Sequence, residues 1–174
     1  YTYSWAPSGG TSATASGLSA GTYTCTVTDA NSCTKTAVVT ITQPSVINLS
    51  PLSQTNISCN GGSNGAASVS TSGGTGAYTY NWTPGNPTGD GTTTVTGLTA
   101  GSWTCTVTDA NSCTKSTTFA ITQPTAINTT TSVTNVSCNG GTNGAATVTA
   151  TGGSGGYTYS WAPSGGTSAT ASGL

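Results

Sequence analysis

The chain repeats itself, and that fact limits what it can fold into more than any other. Tyr1-Thr2-Tyr3-Ser4-Trp5 returns as Tyr78-Thr79-Tyr80-Asn81-Trp82 and again as Tyr157-Thr158-Tyr159-Ser160-Trp161. The stretch from Gly17 to Cys33 returns nearly unchanged as Gly97 to Cys113, and Ser58-Cys59-Asn60-Gly61-Gly62 returns as Ser137-Cys138-Asn139-Gly140-Gly141. The spacing is close to 78 residues. Solenoid turns and propeller blades run to roughly 20–50 residues, so a unit this long is a small domain in its own right. Residues 1 to 18 are identical to residues 157 to 174, which gives two repeats plus an overlap. Pro interrupts a strand-like run at Gln43-Pro44 and at Gln123-Pro124, and these positions are the expected links. On that division residues 1–44 are the C-terminal part of a first repeat, 45–124 a complete repeat, and 125–174 the N-terminal part of a third. The expectation is a window onto a longer array.

Within a repeat, side chains alternate with the period of a strand. Ala67, Val69 and Thr71 share one parity, with Ser68 and Ser70 on the other. Tyr78, Tyr80 and Trp82 share a face, as do Trp103, Cys105 and Val107, and these six are the expected core. Gly-rich segments such as Ser72-Gly73-Gly74-Thr75-Gly76 separate the runs, and Asp109-Ala110-Asn111-Ser112 has the chemistry of a hairpin turn. With 41 Thr, 24 Ser and 25 Gly but no Met and no Glu, the chain favours strands and turns over helices. Around seven short strands in about 80 residues predict an all-β fold of tandem immunoglobulin-like antiparallel sandwiches. Trp82 on the third strand fits that version, and so does Trp103, which stands two residues before Cys105 where a tyrosine corner would lie. The facing strand Gly65 to Thr71 has no Cys, so the usual inter-sheet disulfide cannot form.

Composition removes whole classes of function. There is no His, and Asp29, Asp90 and Asp109 are the only acids, so acid–base catalysis has almost no candidates. No catalytic residue, metal site or cofactor is expected. A net charge of −1 offers no basic face for nucleic acid. No apolar run in this segment approaches the roughly 20 residues of a helical membrane span.

Taken together, Val136-Ser137-Cys138-Asn139-Gly140-Gly141, the Tyr-Thr-Tyr-Ser-Trp run, Gly17-Leu18-Ser19-Ala20-Gly21-Thr22-Tyr23 and Thr26-Val27-Thr28-Asp29-Ala30-Asn31-Ser32-Cys33-Thr34 resemble the SprB repeat. The resemblance covers essentially the whole chain, with motifs recurring in order. It implies a giant surface adhesin of gliding Bacteroidetes-type bacteria, exported by the type IX secretion system. Cys25 and Cys105 depart from the pattern, standing where an apolar residue such as Val is expected.

Three cysteines per repeat in an extracellular type of composition lead one to expect disulfides, and six allow 15 pairings. In such a sandwich the first and last strands start at the same end and run parallel. With Cys59 opening the first strand and Cys113 the last, the expected bond is Cys59–Cys113, and Cys33 and Cys138 pair outside the window. Cys25 and Cys105 share the inward parity and read as small buried hydrophobes, with an inter-chain cross-link as the sharper alternative.

Asp29 and Asp109 supply one acid per loop, too few for calcium and suited to a turn. Lys35 and Lys115 read as guards of an edge strand, with no Glu nearby for an isopeptide bond. The functional expectation is a non-enzymatic stalk of an extracellular filament at the cell surface, giving reach and mechanical continuity for adhesion or gliding. Its expected partners are copies of itself or further repeats of the same chain, with surface glycans as a second candidate. A carbohydrate-binding module is the rival from another class, but it needs exposed aromatics in a row. Thr24-Cys25-Thr26 suggests ice binding, but the tripeptide comes once per repeat and outward Thr is ordinary in strands.

Overall fold

The computed structural model describes residues 1–174 and contains no helix; twelve strands account for all its regular structure. The middle repeat holds six of them: β4 (Asn48–Thr55), β5 (Gly65–Ser72), β6 (Thr79–Thr83), β7 (Thr94–Leu98), β8 (Gly101–Thr108) and β9 (Thr114–Ile121). They form two antiparallel sheets, ordered β4-β5-β7 and β6-β8-β9. This is the strand order of an immunoglobulin-like sandwich with one edge strand fewer than the seven expected. The missing strand corresponds to the segment between β6 and β7. That segment carries Pro84 and Pro87, and Gly85, Gly89 and Gly91 hold positive φ of 72, 90 and 86°. Neither residue type supports a ladder there.

The sheets meet through the parity seen in the sequence. Ile47, Leu49, Ala67, Val69, Val95 and Leu98 come from one side, and Trp82, Trp103, Cys105, Val107, Phe119 and Ile121 from the other. Trp82 and Phe119 pack as a tilted pair with ring centroids 5.6 Å apart. Tyr78 and Tyr80 are partly buried against this core, and the Tyr80 hydroxyl donates to Thr71 Oγ1 at 3.1 Å, tying the sheets together. Gly65 is closely packed: a Cβ there would stand 2.8 Å from the carbonyl oxygen of Leu98, its partner in the same sheet, and 2.9 Å from Ile121 Cγ2 of the facing one. The outward parity is Thr and Ser, joined in pairs such as Thr106 with Ser116 at 2.9 Å.

At one edge β4 lies beside β9 and runs parallel to it. Gln54 Nε2 donates to the Ala120 carbonyl at 2.8 Å, and the Ile57 N–H to the Thr122 carbonyl at 2.9 Å. The β4–β5 register shifts between Pro51 and Ser53. In the third repeat the equivalent strand is one residue shorter, and its pairing runs without a shift. The extra residue is absorbed as a bulge at a proline that has no N–H to give.

Packing divides the chain into two compact units, one of Tyr1–Val46 with Gly73–Thr75 and one of Ile47–Ser72 with Gly76–Leu174. The first is built on the sheet β1 (Thr2–Ala6), β2 (Gly21–Thr28) and β3 (Thr34–Ile41), which copies β6-β8-β9, with Trp5 opposite Cys25 as Trp82 is opposite Cys105. The second contains the sandwich and a further sheet of β10 (Asn128–Thr134), β11 (Ala145–Thr151) and β12 (Thr170–Ser172), which copies β4-β5-β7. These single sheets show on their faces what the sandwich hides. Ile127 is 62% exposed while its counterpart Ile47 is 6% exposed.

Candidate functional site

Chemistry is sparse, so the informative positions are those that hold a repeat together and those that join one repeat to the next. Trp82 is fully buried on β6, and its indole N–H donates to the Thr92 carbonyl at 3.0 Å. Trp5 and Trp161 make the same bond to the carbonyls of Ser12 and Ser168. The Tyr-x-Tyr-x-Trp run thus ends each time on a side chain that pins the segment following it, and the first two copies lie in strands β1 and β6. Trp103 donates to the Thr99 carbonyl at 3.0 Å, and in the first repeat the Tyr23 hydroxyl donates to Ser19 at 3.1 Å. Both are the bond of a tyrosine corner, with Trp in place of Tyr in the middle repeat.

Cys105 is buried between these aromatics, and burial pushes its thiol up to about 11, with the carboxylate of Asp90 adding to the shift. Asp90 accepts from the N–H groups of Trp82 and Gly91 at 2.8 and 2.9 Å, closing the loop over the core. Only the middle repeat has an acid here, which the repeat comparison alone does not reveal as a brace. Cys25 is likewise buried.

The hairpins after β2 and β8 are built alike. Asp109 Oδ1 accepts from the N–H of Asn111 and of Cys113, both at 2.9 Å, while Ser112 takes a φ of 63°. Asp29 does the same for Asn31 and Cys33 at 2.8 Å. The carboxylates are turn braces, oriented inward on backbone donors. Lys35 and Lys115 lie exposed on β3 and β9 beside these turns.

The expected Cys59–Cys113 bond is not formed, and all six cysteines are free thiols. The parallel course of the first and last strands holds, but Cys59 does not open the first strand. It follows β4, in the loop before β5, while Cys113 precedes β9. The Cys59 loop meets the far end of β9, where Gly61 N–H donates to Gln123 Oε1 at 2.8 Å and Asn60 Nδ2 to the Pro124 carbonyl at 3.0 Å. The eight residues of β9 span about 26 Å, against the roughly 4.4–6.8 Å between Cα atoms that a disulfide allows.

That same loop forms the junction with the third repeat. Ser154 Oγ donates to the Ser58 carbonyl at 3.1 Å, across a cleft of about 500 Å³ lined by Cys59, Asn60, Ile127, Ser154 and Gly155 among others. Sequence reasoning placed the link at Gln123-Pro124 but missed the part played by Asn60-Gly61. The available signal was that Asn-Gly and Gln-Pro recur together, as Asn139-Gly140 and Gln43-Pro44.

The model of the SprB repeat matches at residues 52–87 and 130–167, at corresponding places in the middle and third repeats. The chain carries SprB repeats. Each match begins within the first strand of its sheet, β4 or β10, and extends past the Tyr-x-Tyr-x-Trp run. SprB is a structural repeat family rather than an enzyme family. No curated protein and no solved structure matches the chain. No helix is long and apolar enough to cross a membrane.

Proposed function

We propose that this SprB-repeat chain is a stretch of stalk in an extracellular adhesin filament, transmitting force and supplying reach at the cell surface. The observation that carries this reading is the direction of the first and last strands of the sandwich. Because β4 runs parallel to β9, the chain enters at the start of one and leaves at the end of the other, a full strand length away. A domain so connected adds its long dimension to the fibre, and eight-residue strands with their turns give about 35 Å per repeat. A domain with both ends at one pole would add width instead. Copies of the same repeat are its structural partners, and surface glycans are contacts for other regions of the filament. The family and the scarcity of titratable groups both favour a non-enzymatic role. Neither rival gains support: Trp82 and Trp103 are buried, so no aromatic platform faces outward from the sandwich, and the Thr rows pair with one another across strands.

Electron microscopy of fibres with altered repeat number tests the proposal. Inserting four further copies of residues 45–124 lengthens each fibre by about 140 Å on the strand rise used above. An unchanged fibre length would remove the stalk reading.

A further inference from the structure

We infer that the Ser58–Gly62 loop is a clamp on the linker that follows its repeat, making the joint between the middle and third repeats stiff instead of a free hinge. Domains joined by a short linker move relative to one another by default. The linker here is residues 122–127, between β9 and β10, and its bonds oppose that motion. The Thr122 N–H donates to Asn56 Oδ1 at 3.1 Å, and the Thr122 carbonyl accepts from the Ile57 N–H at 2.9 Å. Gln123 Oε1 takes the Gly61 N–H, and the Pro124 carbonyl takes Asn60 Nδ2. These bonds hold the linker to the middle repeat. From the other side the Thr125 carbonyl accepts from the Gly153 N–H at 2.9 Å, and a Cβ at Gly152 would overlap the Ala126 carbonyl. Ser154, bound to Ser58, spans the joint directly, and Pro124 fixes its own φ at the centre. Every residue from 122 to 126 is engaged, so the chain passes between repeats without slack.

The loop's own sequence shapes the clamp. Cys59 to Gly62 is a turn closed by the Gly62 N–H on the Cys59 carbonyl at 3.0 Å, with Gly61 at a φ of 75° in the third position. A Cβ at Gly62 would stand 2.9 Å from Ile57 Cγ2, which accounts for the second glycine. Asn64 braces the base of the loop: its Oδ1 accepts from the Ser58 N–H at 3.2 Å, and its Nδ2 donates to Ser58 Oγ at 2.8 Å. The third repeat builds the same turn from Cys138 to Gly141 and the same brace from Asn143 and Ser137. The grip from the other side recurs as well, since the Gly74 N–H donates to the Ser45 carbonyl at 2.9 Å. Ser-Cys-Asn-Gly-Gly, Gln-Pro and the paired glycines after β5 and β11 thus serve one purpose, the fixing of a linker. The inference concerns the joint alone and does not rest on the stalk reading.

Spin labels on exposed Cys113 in the middle repeat and exposed Cys138 in the third report on the joint. Cys33→Ser and Cys59→Ser remove the other exposed thiols, and burial shields Cys25 and Cys105. Pulsed electron–electron double resonance on the 174-residue chain reads the separation of the labels. The expected result is a single narrow distance. Asn60→Asp combined with Gln123→Ala sets a carboxylate against the Pro124 carbonyl and removes the acceptor of the Gly61 N–H, and the narrow distance should be lost. Gln123→Glu alone keeps an oxygen for that N–H and should retain it. Circular dichroism checks that strand content is unchanged in each variant. A broad distribution in the parent, a narrow one in the double variant, or the same broadening in Gln123→Glu would overturn the inference. Fibre length could still scale with repeat number in that case, so the stalk reading stands or falls separately.

Discussion

Gln54 on β4 donates through Nε2 to the carbonyl of Ala120 on β9, at 2.8 Å, across an edge where the first and last strands of the sandwich run side by side. Gln54 Nε2 also reaches Asn56 Oδ1 at 3.0 Å, and Asn56 in turn accepts from the Thr122 N–H at 3.1 Å. A short polar chain thus clasps the point where the backbone leaves the domain. Gln54→Ala should lower stability by about 1 kcal/mol, the usual net worth of such a bond, without altering the fold. Chemical denaturation of the chain with and without the substitution measures it.

Trp82→Ala should be far more damaging. The side chain is fully buried against Phe119, and its N–H satisfies the Thr92 carbonyl, so its loss opens a large cavity and orphans an acceptor. The expected cost is about 3–5 kcal/mol, against within roughly 0.5 kcal/mol for exposed Thr79→Ala on the same strand. Equal shifts in melting temperature would contradict the inward assignment of β6.

Gly65→Ala tests the closeness of the two sheets. The added methyl would meet the backbone oxygen of Leu98 and the side chain of Ile121, and a backbone carbonyl within a ladder cannot step aside cheaply. Destabilisation of about 1–3 kcal/mol is expected, typical of overpacking. Adding the same methyl at Gly61, where nothing lies within 4 Å, meets no neighbour, and its cost comes from a φ of 75° alone.

Cys105 predicts a dependence on alkaline pH. Its pKa is raised from 9.0 to about 11 in the folded chain, so the native state holds the proton after the unfolded chain has released it. That contribution to stability is complete below pH 9 and is lost as the pH climbs toward 11. Cys105→Ala should lose less stability than the parent chain over this interval, whatever its stability at neutral pH. At pH 8 Cys105 should also resist iodoacetamide while exposed Cys59 reacts, a contrast readable by mass spectrometry.

Much of the sandwich is legible from parity. Trp103, Cys105 and Val107 alternate with Thr, and a period of two leaves only one way to face them. The first strand is harder to read, because Asn48-Leu49-Ser50-Pro51-Leu52-Ser53-Gln54-Thr55 breaks its alternation at the bulge beside Pro51. The expectation that Cys59 opens the first strand therefore fails, because β4 ends at Thr55 and Cys59 follows it at the other end of the domain. The loop from Pro84 to Thr93 hid a different fact. Around seven strands are expected and six form, with turns filling this loop, and Asp90 reaches back to the Trp82 N–H, a bond between positions with no shared periodicity. The junction was legible only as a pair of recurring dipeptides, since contact between Ser58 and Ser154 joins residues of different repeats.

We propose that each repeat is an independently folded link whose ends lie at opposite poles. Single-molecule stretching of a tandem array tests it most directly. With thiols reduced, the account predicts a regular sawtooth, each peak releasing about 240 Å as some 79 residues extend to roughly 3.5 Å apiece and one folded length of about 35 Å is lost. A single smooth extension with no repeating release would contradict it.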